Sequence, residues 1–313
     1  MDLPLTLGGL VVGFVVGMTG MGGGALMTPM LIFVFKVDPL TAVSSDVVAS
    51  LFMKPAGAFV HLRRGTANLR LVLWLCVGSV PAAFVGSFVI GALGDDVSGL
   101  VQKLLGAALL VASAGLVTRA ILGMTQRRTP AGEGPAAPRS PEIVVRPIPT
   151  AVLGAVAGLL VGMTSVGAGS VIIIVLLMMY PALKASELVG TDLVQAVPLV
   201  AAASLGHLLY GDFDPGLTLW LLVGAVPGAW IGAQVSSRAP GGIIRRALAI
   251  LLLASGLKLL GAPLVVVLGA AVAALVLGNL LWITVRRRLA RADAAPSSRP
   301  VEIRTSPKGR TDQ

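Results

Sequence analysis

The feature that most restricts what this chain can become is a knot of glycines and hydroxyls set in apolar sequence and then repeated. It runs from Gly13 to Pro29, GFVVGMTGMGGGALMTP, and returns at Gly158 to Ser170 as GLLVGMTSVGAGS. Laid over each other with a shift of 145, the two copies share Gly13/Gly158, Val16/Val161, Gly17/Gly162, Met18/Met163, Thr19/Thr164, Gly22/Gly167 and Gly24/Gly169. In hydrocarbon every backbone N–H and C=O needs a partner, so an irregular turn persists only where protein or a watery cavity surrounds it. Each knot therefore reads as the tip of a broken helix, and the two tips together as a binding site for a small anion.

Composition supplies the setting. The chain has 313 residues, 56% hydrophobic and 12% charged, with a mean hydropathy of +0.92. This balance belongs to an integral membrane protein of many helices. The first thirty residues lack Lys and Arg, so no signal-peptide n-region is expected. The formal charge of +10 lies mostly in short segments bordering apolar runs, a mark of topology and not of nucleic-acid binding. Cys76 is the single cysteine and reads as a small core residue. No metal or cofactor is expected.

Nine apolar runs are predicted, near 5–35, 44–62, 69–93, 100–122, 148–180, 190–210, 217–235, 243–260 and 263–285. They divide the chain into a first transmembrane repeat at 1–125, a cytoplasmic linker at 126–147, a second repeat at 148–262, a last transmembrane helix at 263–285 and a basic cytoplasmic tail at 286–313 with little fixed structure. The duplication extends past the knots, because a shift of 146 pairs Asp46 with Asp192, His61 with His207 and Gly65 with Gly211. Its densest match sets WLCVGSVPAAFVG at Trp74–Gly86 against WLLVGAVPGAWIG at Trp220–Gly232.

Charge orients the halves. Arg63, Arg64 and Arg70 follow the second run, whereas Asp212 and Asp214 occupy the matching loop of the second half. One loop later the signs exchange, Asp95 and Asp96 against Arg238, Arg245 and Arg246. Matching loops of opposite bias imply opposite sides of the membrane. Inversion needs an odd number of crossings per half, which follows if the first run of each half is a hairpin with two arms of roughly fourteen residues, each about 21 Å long. The expected fold is an all-α polytopic membrane protein with two inverted-topology repeats, each beginning with a broken or re-entrant Gly-rich helix. The rival is four plain crossings per half in parallel orientation.

At each tip the second arm begins near Gly24 or Gly169, and its free N–H groups suit an anion. Gly22, Gly23, Gly24, Gly167 and Gly169 allow close backbone approach, while Thr19, Thr164, Ser165 and Ser170 offer hydroxyl donors. Gly13 and Gly17 read instead as helix-packing positions. Lys54 lies near the centre of its run, where an ammonium costs about 3 kcal/mol and needs an anionic partner. Asp46, Ser50 and Lys54 recur every fourth residue and share a helix face. Asp46 and Asp192 read first as N-terminal caps and second as coupling groups. His61 and His207 read first as interfacial hydrogen-bonding residues away from the tips and second as a proton relay, and Gln195, one turn beyond Asp192, as a coupling or supporting residue able to face the site.

These residues resemble the sulfite exporter TauE/SafE family of permeases, also called the toluenesulfonate uptake permease family. The resemblance rests on GMTGMGGGALMTPML, HLRRGTANLRLVLWLCVGSVPAAFVGS and VGTDLVQAVPLVAAASLGHLLYGDFDPGLTLWLLVGAVPGAWIGAQVSSR, and spans roughly Leu5–Leu122 and Ile148–Leu260. It implies transport of sulfur-containing anions such as sulfite, sulfoacetate or other organosulfonates across the bacterial cytoplasmic membrane, coupled to an ion gradient of protons or sodium. The second knot, TSVGAGSVIIIV, lacks the triple glycine and the later proline. Lys54 is not part of the resemblance. The expected partners are the small anion, the coupling ion and the bilayer. A channel or transporter of another anion is the alternative, and a membrane-embedded enzyme a further one, although no H-E-x-x-H or cysteine pair occurs in the sequence.

Overall fold

The computed structural model describes residues 2–19, 23–93, 97–126, 144–166, 169–183, 185–235 and 241–293. Among them run eleven helices: α1 (Leu3–Thr19), α2 (Gly24–Phe33), α3 (Pro39–Arg63), α4 (Leu69–Ala92), α5 (Ser98–Gln126), α6 (Pro147–Thr164), α7 (Gly169–Met179), α8 (Ala185–Tyr210), α9 (Pro215–Val235), α10 (Gly241–Leu259) and α11 (Leu264–Asp293). Nine apolar runs become eleven helices because the first and fifth are each broken at their glycine knot. The arms are unequal, 17 and 10 residues in the first pair, 18 and 11 in the second. Equal arms of fourteen were expected. The break sits where the small residues are, two thirds of the way along, so the leading arm is about 25–27 Å long.

Both broken pairs fold back on themselves. A Cβ at Gly8 of α1 would lie 3.0 Å from Met30 Sδ and 3.1 Å from the Phe35 ring at the far end of α2. In the second pair the Tyr180 hydroxyl, just past α7, accepts from Arg146 N at 2.8 Å and bonds Thr150 Oγ1 at 2.7 Å at the start of α6.

Helix starts are set by local chemistry. Asp38 caps α3 by accepting from Leu40 N, with Pro39 at the first helical position, and Asn68 caps α4 by accepting from Leu71 N. This overturns the capping role expected of Asp46, which lies about two turns inside α3, and of Asp192, which lies inside α8. Helix α3 begins five residues before its apolar run, because its first turn carries Pro39 and Thr41, which the run count excludes.

Side-chain contacts fix directions. Thr41 donates to the Asp212 carboxylate, and Ser98 donates to Asp38 at 2.9 Å, which gathers the start of α3, the start of α5 and the α8–α9 loop at one end. Asn68 N donates to Thr191 Oγ1 at 3.0 Å, so the start of α8 joins Arg63, Arg64 and Arg70 at the other end. The 25 residues of α3, about 37 Å of helix, separate the Arg63–Arg70 segment from Asp212 and Asp214. Asp95, Asp96 and Arg238 lie outside the described residues.

The small residues of the knots and of the Trp74–Gly86 and Trp220–Gly232 motifs pack against each other across the halves. Gly9, Gly13 and Gly17 of α1 meet Leu221, Ala225 and Ala229 of α9 in the same order, so these helices are parallel. Gly154, Gly158 and Gly162 of α6 meet Leu75, Ser79 and Ala83 of α4 in the same way. The packing reading of Gly13 and Gly17 holds, since a Cβ at either would overlap a backbone carbonyl oxygen. Gly17→Val should therefore cost about 1–3 kcal/mol and lower the melting temperature of the purified protein. Gly99→Ala, where nothing lies within 4 Å, should melt as wild type does.

Among the described residues six helices are long and apolar enough to cross a membrane: α3, α4, α8 and α9, together with α6 and the Ser98–Thr118 part of α5. The chain is thus a multi-pass membrane protein. Residues 1–272 form one compact unit and residues 273–313 a second, whose described part continues α11 to Asp293. Helix thus extends beyond Arg286, where a tail of little fixed structure was expected. The linker residues 127–143 and the tail residues 294–313 lie outside the described residues.

Candidate functional site

The two tips meet. A Cβ at Gly24, the first residue of α2, would overlap the carbonyl oxygen of Ser165, the residue that ends α6. Ser165 has φ +57°, and its N–H donates to Val161 O at 2.8 Å, a left-handed turn that stops the helix. That turn aims its side chain at α3, where Ser165 Oγ donates to Asp46 Oδ2 at 2.9 Å. The same oxygen accepts from Thr28 Oγ1 of α2 at 2.6 Å. Asp46 thereby ties both hairpins to α3, and it is fully buried.

Gly23 caps α2 without a side chain, leaving first-turn N–H groups uncapped from that direction. The place of a Cβ on Gly23 lies 3.3 Å from both Asp46 Oδ1 and Ser50 Oγ. At the other tip a Cβ at Gly169, where α7 begins, would stand 2.5 Å from Asp192 Oδ2. Each N-terminus expected to greet a guest anion therefore has a carboxylate of the chain's own as neighbour, and the helix dipole favours that charge. These contacts pair Gly23 with Gly169, a shift of 146, whereas the Thr19/Thr164 match needs 145. The knots differ in length by one residue.

Lys54 is half-buried and interacts electrostatically with Asp192 and, more weakly, with Asp46. One turn along α3, Gly57 faces Leu193, which places this stretch beside Asp192 on α8. Gln195 is buried, its Nε2 donating to Ser79 Oγ at 2.8 Å while Oε1 has no partner among the described residues. Two carboxylates and one ammonium thus stand beside the joined tips.

Other expectations are redirected. Thr164 is buried, but its hydroxyl donates back to Leu160 O at 2.6 Å, so that donor serves its own helix. His207 is fully buried and not interfacial: Nε2 donates to Gly162 O at 2.8 Å, one turn or less from the tip, and Nδ1 accepts from Ser44 Oγ at 3.0 Å. It was expected away from the tips, and it is drawn in because α8 packs along α3 and α6. His61 does sit at a helix end, bonded to Thr66 Oγ1 at 2.8 Å. Gly22 and Gly167 lie outside the described residues, as do the side chains of Thr19 and Ser170. Thr28, Ser44 and Ser79 went unremarked in the sequence. Each lacks an echo, standing opposite Ile174, Gly190 and Ala225 under the shift of 146. Among the described residues no three His, Cys, Asp or Glu side chains gather as metal ligands would.

Comparison with known proteins decides the family. Residues 5–259 match the family profile described as Sulfite exporter TauE/SafE. The chain belongs to this family. It is 34% identical over 263 residues to the probable membrane transporter protein YjnA of Bacillus subtilis, covering 83% of this chain and 100% of that one. A second Bacillus subtilis relative, the probable membrane transporter protein YdhB, is 26% identical over 250 residues, covering 80% and 96% respectively. A probable membrane transporter protein of Xylella fastidiosa is 27% identical over 242 residues, covering 76% and 86%. No solved structure matches the chain significantly.

Proposed function

We propose that this TauE/SafE member is a secondary transporter, a permease moving small sulfur-containing anions such as sulfite, sulfoacetate or organosulfonates across the cytoplasmic membrane by alternating access. The observation that carries the proposal is the meeting of two duplicated tips, Gly24 against Ser165, from chain segments that start at opposite ends of α3. In this reading α1–α5 and α6–α10 are inverted repeats. The pairs α1–α2 and α6–α7 are re-entrant hairpins entering from opposite faces, and the end bearing Arg63, Arg64 and Arg70 is cytoplasmic. The parallel pairs α1–α9 and α4–α6 are then equivalent sliding contacts between the halves. Lys54 supplies the charge that draws the anion to the tips, and the relatives' description as membrane transporters supports a carrier over an enzyme.

The test is flux into sealed vesicles that saturates with sulfite or an organosulfonate; a flux that never saturates would indicate a channel, and none at all would remove these substrates. Topology is checked separately in a Cys76→Ala background. Single cysteines at Arg64 and Asp214 should react with an impermeant thiol reagent from opposite faces, and reaction from one face would end the inverted-repeat reading.

A further inference from the structure

Among the described residues Asp46 Oδ1 has no hydrogen-bond partner, and neither has the nearby Ser50 hydroxyl. Both residues are buried, 0% and 2% exposed, and both atoms face Gly23 at the first tip. The carboxylate is therefore unevenly served, with two hydroxyl donors on Oδ2 and none on Oδ1. A buried charge with an unserved oxygen is costly, and one proton on Oδ1 removes the charge and supplies a donor on the Ser50 side. A hard metal cation takes about six or more oxygens, which Oδ1 and Ser50 Oγ alone do not supply.

The surrounding charges favour the same ligand. Of the elements packed against α3, α2 and α9 carry no titratable side chain, and neither does α6, whose end touches Asp46. Among the described side chains α5 brings Lys103, which is exposed. From α8 come Glu187 and Tyr210 near its two ends, Asp192 beside Lys54, and His207, whose two ring nitrogens serve Ser44 and Gly162. From α3 itself come Lys54 and, at its far end, His61 and Arg63. Beside the tips two carboxylates face one ammonium, so an arriving anion meets an excess of negative charge unless a carboxylate is first neutralised.

We propose that Asp46 is a proton-binding site that loads together with the anion: a sulfur oxyanion enters beside Lys54 when Oδ1 carries a proton, and both leave on the other side. No bond of the anion changes; the proton comes from one aqueous phase and is released to the other. This rests on the transporter reading, and it adds the coupling ion and its residue. Because the loaded state holds one proton more than the empty one, raising the pH by one unit weakens anion binding about tenfold while Oδ1 is protonated only in the loaded state.

The experiment uses proteoliposomes with a trapped pH-sensitive dye and methanesulfonate outside, an anion whose own charge does not change near neutral pH. Wild-type protein should acidify the lumen as methanesulfonate enters. Asp46→Asn, which keeps an amide oxygen for the Thr28 and Ser165 hydroxyls, should lose the acidification and flatten the pH dependence of methanesulfonate binding. Entry without acidification, or entry driven by a sodium gradient instead, overturns the proton site while leaving the carrier reading intact. A pH slope that survives in D46N and vanishes in Asp192→Asn also overturns it. Absence of both flux and binding for every sulfur anion removes the transporter reading and this inference together. Should D46N fail to fold, Asp192→Asn decides: acidification that persists in it supports Asp46, and acidification that vanishes overturns the assignment.

Discussion

Gly24→Ala is expected to reduce anion flux at least a hundredfold while leaving the protein in the membrane. The added methyl would overlap the Ser165 carbonyl oxygen, and since a Cβ is fixed by its own backbone and the oxygen is backbone, no side-chain rotation relieves the clash. The tips must separate, which pulls Ser165 Oγ off Asp46 Oδ2 and loosens Thr28 on the same oxygen. The cost in stability should be about 1–3 kcal/mol, as for other overpacked positions, because the α1–α9 and α4–α6 contacts lie elsewhere. Gly57→Ala is the control, since its Cβ would meet only the Leu193 methyls at 3.8 Å. Initial rates in proteoliposomes, normalised to inserted protein, measure the effect. Normal flux in the Gly24 variant would mean that transport does not require the two tips in contact.

The legible part of this molecule is the part that was duplicated. Gly13 and Gly17 announced close packing, and the matched motifs at Trp74–Gly86 and Trp220–Gly232 announced the duplication, although only the structure shows that the two pack against each other. The loop charges announced the ends: Arg63, Arg64 and Arg70 do lie a helix length from Asp212 and Asp214. What stayed hidden is the distant donor. Asp46 has an echo in Asp192, but its donor Thr28 stands opposite Ile174, so comparison of halves passes over it, whereas Ser50 and Lys54, equally without an echo, were legible from their spacing of four along α3. Burial misled in a related way. Asp46 follows Ser45 at the start of an apolar run, a pattern that fits a cap, and only the earlier start of α3 at Pro39 makes it an interior carboxylate. His207 shares its place in the repeat with His61, yet one fills a three-helix junction and the other ends a helix. Periodicity within one segment cannot tell these apart, because the difference lies in which neighbours arrive from distant sequence.

Lys54→Ala should weaken methanesulfonate or sulfite binding by about 2–3 kcal/mol, or about 30- to 150-fold in Kd, the range for losing a hydrogen bond to a charged group. The residue interacts with both Asp192 and Asp46, so its removal also takes a counter-charge from each carboxylate. That raises a competing explanation, in which Lys54 only neutralises the aspartates and never touches the guest. The two differ in what the anion does for stability. A ligand that binds the folded state raises its melting temperature according to concentration over Kd. If Lys54 holds the anion, the variant melts lower and its concentration curve shifts rightward by the same 30- to 150-fold. If it serves only the aspartates, the variant melts lower while that curve keeps its midpoint. Lys54→Arg separates them further. It retains the charge but replaces a compact ammonium with a planar fork. It should restore stability in either case, and leave the midpoint of the curve displaced only where the ammonium itself touches the anion.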